Sequence, residues 1–124
     1  MKEELYRMTE AEMKFTEIVW ETEPIRSGEL VQLCLEKFEW KKSTTYTVLK
    51  KLCEQKILSN EDSVVTSMID QESYKQRLSE QFVKKNYAGS LPGMVAAFMR
   101  QKRLSQAQIE EIEQMIEQYK MENK

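Results

Sequence analysis

The chain has 124 residues, with 19 Lys and Arg against 21 Asp and Glu, a formal net charge of −2 and no histidine. With 40% hydrophobic and 32% charged residues but only three glycines and two prolines, it fits one helix-rich folding unit, or a small domain with a helical extension. No apolar run approaches the ~20 residues that a membrane span requires, no charged-then-apolar leader opens the sequence, and enzymatic catalysis lacks its usual parts: histidine, the commonest general base, is absent, and there is neither a Gly-rich phosphate loop nor a nucleophile elbow.

A cytoplasmic protein that is not an enzyme and holds no cofactor is therefore expected. Residues 9–21 open with a capping box, in which the Thr9 hydroxyl can accept from the Glu12 N–H while Glu12 reaches back. Phe15, Ile18 and Val19, joined by Met13 and Trp20, make the buried stripe of this first helix. Pro24 ends it, because proline disfavours helical geometry in its predecessor, and Ile25 reads as a one-residue strand anchor. Ser27 is expected to cap a second helix, Gly28 to about Phe38, with Leu30, Val31, Leu33, Cys34 and Leu35 available for its apolar side. Residues 39–42 form the turn, and a third helix runs from Ser43 to about Gln55. Residues 57–58 and 64–69 are β-rich runs around a hairpin turn at 60–63.

The third helix is the most informative stretch. Thr45, Val48, Leu49 and Leu52 recur at helical spacing and pack inward. Ser43, Thr44, Thr47, Lys50 and Lys51 fall on the other side, with Tyr46 beside them. Between Trp40 and Lys56 five lysines (Lys41, Lys42, Lys50, Lys51, Lys56) stand against one acid, Glu54. A small basic face with short hydrogen-bonding side chains suits the major groove of double-stranded DNA, where lysines meet phosphates and Ser, Thr and Tyr reach base edges. The competing reading is an ordinary solvated helix face. The surrounding order of helix, helix, helix, hairpin favours DNA, because it is the order of a winged helix-turn-helix domain.

From Asp70 the pattern is helical again. Asp70 can cap a helix to about Tyr87, with Tyr74, Leu78, Phe82 and Val83 on one side. Ser90 can cap the next, since Pro92 is tolerated in a first turn, and its apolar residues are Leu91, Met94, Val95, Phe98 and Met99. Ser105 and Gln108 make a second capping box, opening a last helix to about Met121 with a stripe of Ile109, Ile112, Met115, Ile116 and Tyr119. This surplus of apolar surface calls for a second copy of the chain, and a two-fold dimer matches palindromic DNA. The expected fold is thus mostly α with a small β-hairpin wing, divided into a winged-helix DNA-binding domain at 1–69 and a helical dimerisation region at 70–124. Cys34 and Cys53 lie on apolar helix sides and read as buried free thiols rather than a disulfide. Without histidine they make a poor metal site.

Several ordered blocks resemble the penicillinase repressor family (BlaI/MecI/CopY): MTEAEM at 8–13, IVW at 18–20, SGEL at 27–30, WKKSTTYTVLKKL at 40–52, GSLPGMVAAF at 89–98 and LSQAQIEEI at 104–112. The resemblance spans roughly residues 8–119. It implies a homodimeric bacterial repressor that binds an inverted-repeat operator and dimerises through its C-terminal helices, with a neighbouring membrane peptidase as regulator. Three departures stand out. No Lys or Arg occurs from Ile57 to Glu72, and the wing carries Glu61 and Asp62 where most members are basic, so wing contacts do not carry over. The Asn-Phe bond cleaved in the penicillin-responsive members matches Ala97-Phe98, without the Asn. The C-terminal Cys-x-Cys pairs of the copper-responsive branch are missing. The acidic wing and net charge also admit a second function class, a winged-helix protein-interaction module that has lost DNA binding.

Overall fold

The structure is a computed structural model that describes residues 5–101 and 104–124, without the side chain of Gln101. Its elements are α1 (Glu10–Thr22), β1 (Ile25–Arg26), α2 (Ser27–Phe38), α3 (Lys42–Glu54), β2 (Leu58–Glu61), β3 (Val64–Ser67), α4 (Gln71–Tyr87), α5 (Leu91–Gln101) and α6 (Gln106–Glu122). They form two compact units, one ending at Gln81 and a second spanning Phe82–Lys124.

The first unit is a winged helix. Its opening capping box is closed: Glu12 N donates to Thr9 Oγ1 at 3.1 Å and Thr9 N donates to Glu12 Oε1 at 2.9 Å. Phe15, Ile18 and Val19 are buried as expected, while Met13 and Trp20 are half-buried. Thr16, which the apolar pattern passed over, is also buried, its hydroxyl donating to Met8 Sδ at 3.2 Å. Trp20 Nε1 donates to the Ile69 carbonyl at 2.9 Å, fixing α1 to the chain that leaves β3.

Two local expectations at α2 need correction. Ser27 is not the cap but the first helical residue; Arg26 holds the N-cap position without a side-chain bond. The Ser27 hydroxyl instead turns inward to accept from Tyr46, and its N–H donates to the Ser63 carbonyl at 2.9 Å. Leu35 faces outward at 49% exposure, so the apolar side of α2 is Leu30 and Cys34, flanked by Val31 and Leu33. The turn into α3 is held by Trp40, which stacks on Phe15 (centroids 5.9 Å apart) and packs on Phe38 at 5.0 Å.

The sheet order is β1-β3-β2, all antiparallel, with Ile25 opposite Val65 and Glu61 opposite Val64. The hairpin turn is shorter than the sequence predicted, because Asn60 and Glu61 belong to the ladder. Only Asp62 and Ser63 remain, at φ 52° and 63°, and a two-residue hairpin loop with both φ positive is the twist-matched solution. The core combines Phe15 and Val19 of α1, Leu30 of α2, Leu49 and Leu52 of α3, Leu58 and Val65 of the sheet and Tyr74 of α4. The first part of α4 thus belongs to this unit: Tyr74 is buried and Leu78 packs against the same core.

In the second unit Ser90 Oγ accepts from Gly93 N at 2.9 Å, and Ser105 with Gln108 closes the second capping box. Leu91, Val95 and Phe98 on α5 and Ile109, Ile112 and Ile116 on α6 are exposed, as is Phe82; Met94 is half-buried. No residue of α6 is buried.

Candidate nucleic-acid interface

The helix α3 presents its two sides as the periodicity predicts. Thr45, Leu49 and Leu52 are buried and Val48 is half-buried. Lys41, at the N-cap, and Lys42, Ser43, Thr44, Thr47 and Lys50 are exposed. Lys41 offers no side-chain cap, so the open N–H groups of the first turn add their partial positive charge to the lysines. The Thr47 hydroxyl donates to the Ser43 carbonyl at 2.8 Å, which leaves its methyl group and lone pairs facing out.

Two of the predicted contact residues are partly committed elsewhere. Tyr46 is half-buried and donates from its hydroxyl to Ser27 Oγ at 3.2 Å, tying α3 to the start of α2. Lys42 Nζ lies 6.0 Å from the centre of the Tyr46 ring. Lys51 is exposed as well but has an acid partner. Its Nζ is 3.4 Å from Glu12 Oε2 on α1 and 5.6 Å from the centre of the Tyr6 ring. The Tyr6 hydroxyl and the Glu12 carboxylate hold the Lys51 ammonium above the usual lysine range.

Glu12, a capping residue by its spacing from Thr9, is only 5% exposed. Burial pushes its carboxyl up, but the Thr9 N–H, the Tyr6 hydroxyl and Lys51 outweigh burial and hold it below the usual range. Burial and the Glu12 hydrogen bond raise Tyr6. Sequence reasoning missed Tyr6, Glu12 and Ser27. The capping-box pattern marked Glu12, but nothing in that pattern says that a residue from α3 closes over it. The wing tip is acidic as the sequence requires, with Glu61 and Asp62 both exposed. Cys34 and Cys53 are free thiols, both pushed up by burial, and the Thr45 hydroxyl pulls weakly the other way on Cys34.

A three-helix unit with a β-hairpin and an exposed basic third helix defines a winged helix-turn-helix protein. The sequence profile of the penicillinase repressors matches residues 8–118, and the chain belongs to that family. It is 26% identical over 122 residues to the penicillinase repressor of Bacillus licheniformis, covering 95% of each chain. It is 22% identical over 120 residues to the methicillin resistance regulatory protein MecI of Staphylococcus aureus (strain Mu50), covering 94% of this chain and 98% of that one. Among solved structures, the DNA-binding domain of the repressor BlaI superposes with a TM-score of 0.52 at 23% identity, over 60% of this chain and 94% of that domain. The monomeric form of Bacillus licheniformis BlaI in complex with the blaP half-operator gives 0.50 at 24% identity, with the same coverage. The likeness to these two structures is one of fold. The family, its Bacillus licheniformis member and BlaI are repressors, not enzymes. Among the described residues no helix is long and apolar enough to cross a membrane.

Proposed function

We propose that this chain is a transcriptional repressor that binds an inverted-repeat DNA operator as a homodimer. The observation that carries the reading is the outward face of α3, where Lys41, Lys42, Ser43, Thr44, Thr47 and Lys50 are exposed together. The lysines would neutralise phosphates, while Thr44 and Thr47 offer methyl groups and hydroxyl oxygens to base edges. A half-operator complex of a family relative supports the same kind of partner. The exposed apolar residues of α5 and α6 support the dimer, because an unpaired face of that composition is stable in water only when covered. Leu78 contributes less to such a dimer than its sequence spacing predicts, since it already packs on the first unit's core.

Regulation by a membrane peptidase, which the resemblance implies, would have to open α5 first: Ala97 and Phe98 lie inside that helix. The test of the main reading is selection of duplexes from a random-sequence pool by the full-length protein, combined with sedimentation. An enriched inverted repeat and a dimeric species are expected, and Ile112→Asp with Ile116→Asp should give monomers with much weaker binding, because two half-sites are no longer linked. A pool that yields no enriched sequence would refute the DNA reading and favour a protein-interaction module.

A further inference from the structure

We propose that Tyr6 and Glu12 are positioning residues for the DNA-reading helix: together with Lys51 they form an anchor that fixes how α3 sits on α1. The proposal rests on the function given above for α3. The anchor begins with residues 5–8, which α4 holds at two points. Tyr74 Oη donates to the Tyr6 carbonyl at 3.0 Å and accepts from Met8 N at 2.8 Å. Gln81 accepts from Leu5 N at 3.1 Å and donates to the Leu5 carbonyl at 3.4 Å. The Tyr6 side chain then reaches the α1 carboxylate, its hydroxyl donating to Glu12 Oε1 at 2.7 Å. Thr9 N donates to the same oxygen at 2.9 Å, and the other oxygen faces Lys51 Nζ at 3.4 Å.

Each oxygen of this buried carboxylate therefore has a partner, and α3 supplies the only cation that meets it among the described residues. Sliding or rotating α3 would withdraw the ammonium and leave Oε2 of the buried carboxylate without its partner, a cost moderated by the solvent exposure of Lys51. Lys51 follows Lys50 and lies one turn after Thr47, so its fixed position sets the azimuth of both. Lys51 is itself exposed, but its ammonium is paired with the buried Glu12, and its effect on DNA is exerted through the placement of its neighbours.

The test uses Tyr6→Phe, Glu12→Gln, Lys51→Met and Lys51→Arg in the full-length chain. Fluorescence anisotropy on a pool-selected duplex and a scrambled duplex across a salt series is combined with melting curves and amide hydrogen exchange of α3. Glu12→Gln and Lys51→Met should each weaken selected-duplex binding about tenfold, as loss of a charge-assisted bond implies, with scrambled-duplex binding and salt slope unchanged. Tyr6→Phe should act in the same direction but less. Lys51→Arg should restore binding, and α3 amides should exchange faster in the weakened variants. Glu12→Gln and Lys51→Met change the charge in opposite directions, so a shared loss of selectivity cannot be a long-range charge effect.

Either of two results in the DNA assays would overturn the proposal. If Lys51→Met flattens the salt slope while Glu12→Gln tightens binding, Lys51 is a phosphate ligand. If the variants melt lower but keep full selectivity, the cluster is structural only. A wild type that selects no duplex would refute the DNA reading, and hydrogen exchange would still judge the anchor: unchanged α3 protection in Glu12→Gln would sink it independently.

Discussion

Replacing Thr45 by valine should stabilise the first unit and leave DNA binding untouched. Thr45 is fully buried on the inner side of α3, and its Oγ1 has no hydrogen-bond partner among the described residues. The Cys34 thiol feels this hydroxyl, but a neutral thiol is a weak acceptor and does not repay its desolvation. An unsatisfied buried hydroxyl costs about 1–3 kcal/mol, and valine keeps the branched shape and helix propensity of threonine while removing that cost. A gain of about 1 kcal/mol would raise the melting temperature by about 4–8 °C in a unit of this size. Thr47→Ala, two positions on, is the outward counterpart. It should leave melting nearly unchanged but cost about 1–3 kcal/mol on a pool-selected duplex, with little effect on a scrambled one. Melting by circular dichroism and anisotropy on both duplexes read the pair together. If Thr45→Val destabilises the protein or weakens DNA binding, the hydroxyl has a partner or faces the groove, and the assigned register of α3 is wrong.

Three further outcomes follow from the same geometry. Glu61→Lys should strengthen binding to any duplex by about two- to fivefold at low salt, as an exposed charge contact does, whereas unchanged affinity would place the wing away from the phosphates. Asp62 is the poorer site for this change, because at φ 52° a short polar side chain is tolerated better than lysine. Lys56 ends α3 at φ 61°, so Lys56→Gly should relieve left-handed strain and add about 0.5–1 kcal/mol by chemical denaturation. Glu12 is held below the ordinary glutamate range, so its contribution is fully present above about pH 4.3 and is lost as pH falls through the lower folded-state value. Melting curves from pH 7 to pH 3 should therefore show Glu12→Gln approaching wild type at the acid end, and a constant difference would contradict that linkage.

The order of elements and the two sides of α3 were legible because both rest on local periodicity and on turn residues such as Pro24. So were the capping boxes, whose residues lie three apart. What could not be read depends on partners distant in sequence. Ser27 looks like a helix cap, and only its neighbours Tyr46 and Ser63 show why it turns inward. Leu35 is apolar yet exposed, since α2 meets the core along Leu30 and Cys34 and the next apolar position has rotated past it. Lys51 stands on the basic face by spacing, but its pairing with Glu12, 39 positions earlier, could not be read from periodicity. Tyr74 and Leu78 read as part of one continuous stripe with Phe82, although the first two pack within the winged-helix unit.

The charge pattern then sets how a chain of net charge −2 can approach a polyanion. The segment 105–124 holds five glutamates against two lysines, and the wing tip is acidic, so both repel phosphate. On the proposed function, the first unit would meet DNA through α3, and the long-range field would contribute orientation more than attraction. The Lys51 pair with Glu12 sharpens the expected magnitude. Lys41, Lys42 and Lys50 are exposed and have no acid partner among the described residues, whereas Lys51 does. Three lysines per subunit are about six phosphate contacts per dimer, and log K against log salt should slope near −5. Lys50→Gln removes two of them and should flatten the slope by about 2, on selected and scrambled duplexes alike. On the proposed function, so few phosphate contacts would make nonspecific affinity low and leave discrimination to Ser43, Thr44 and Thr47. A wild-type slope shallower than about −3 would mean that α3 does not lie along the backbone, and that the basic face serves another partner.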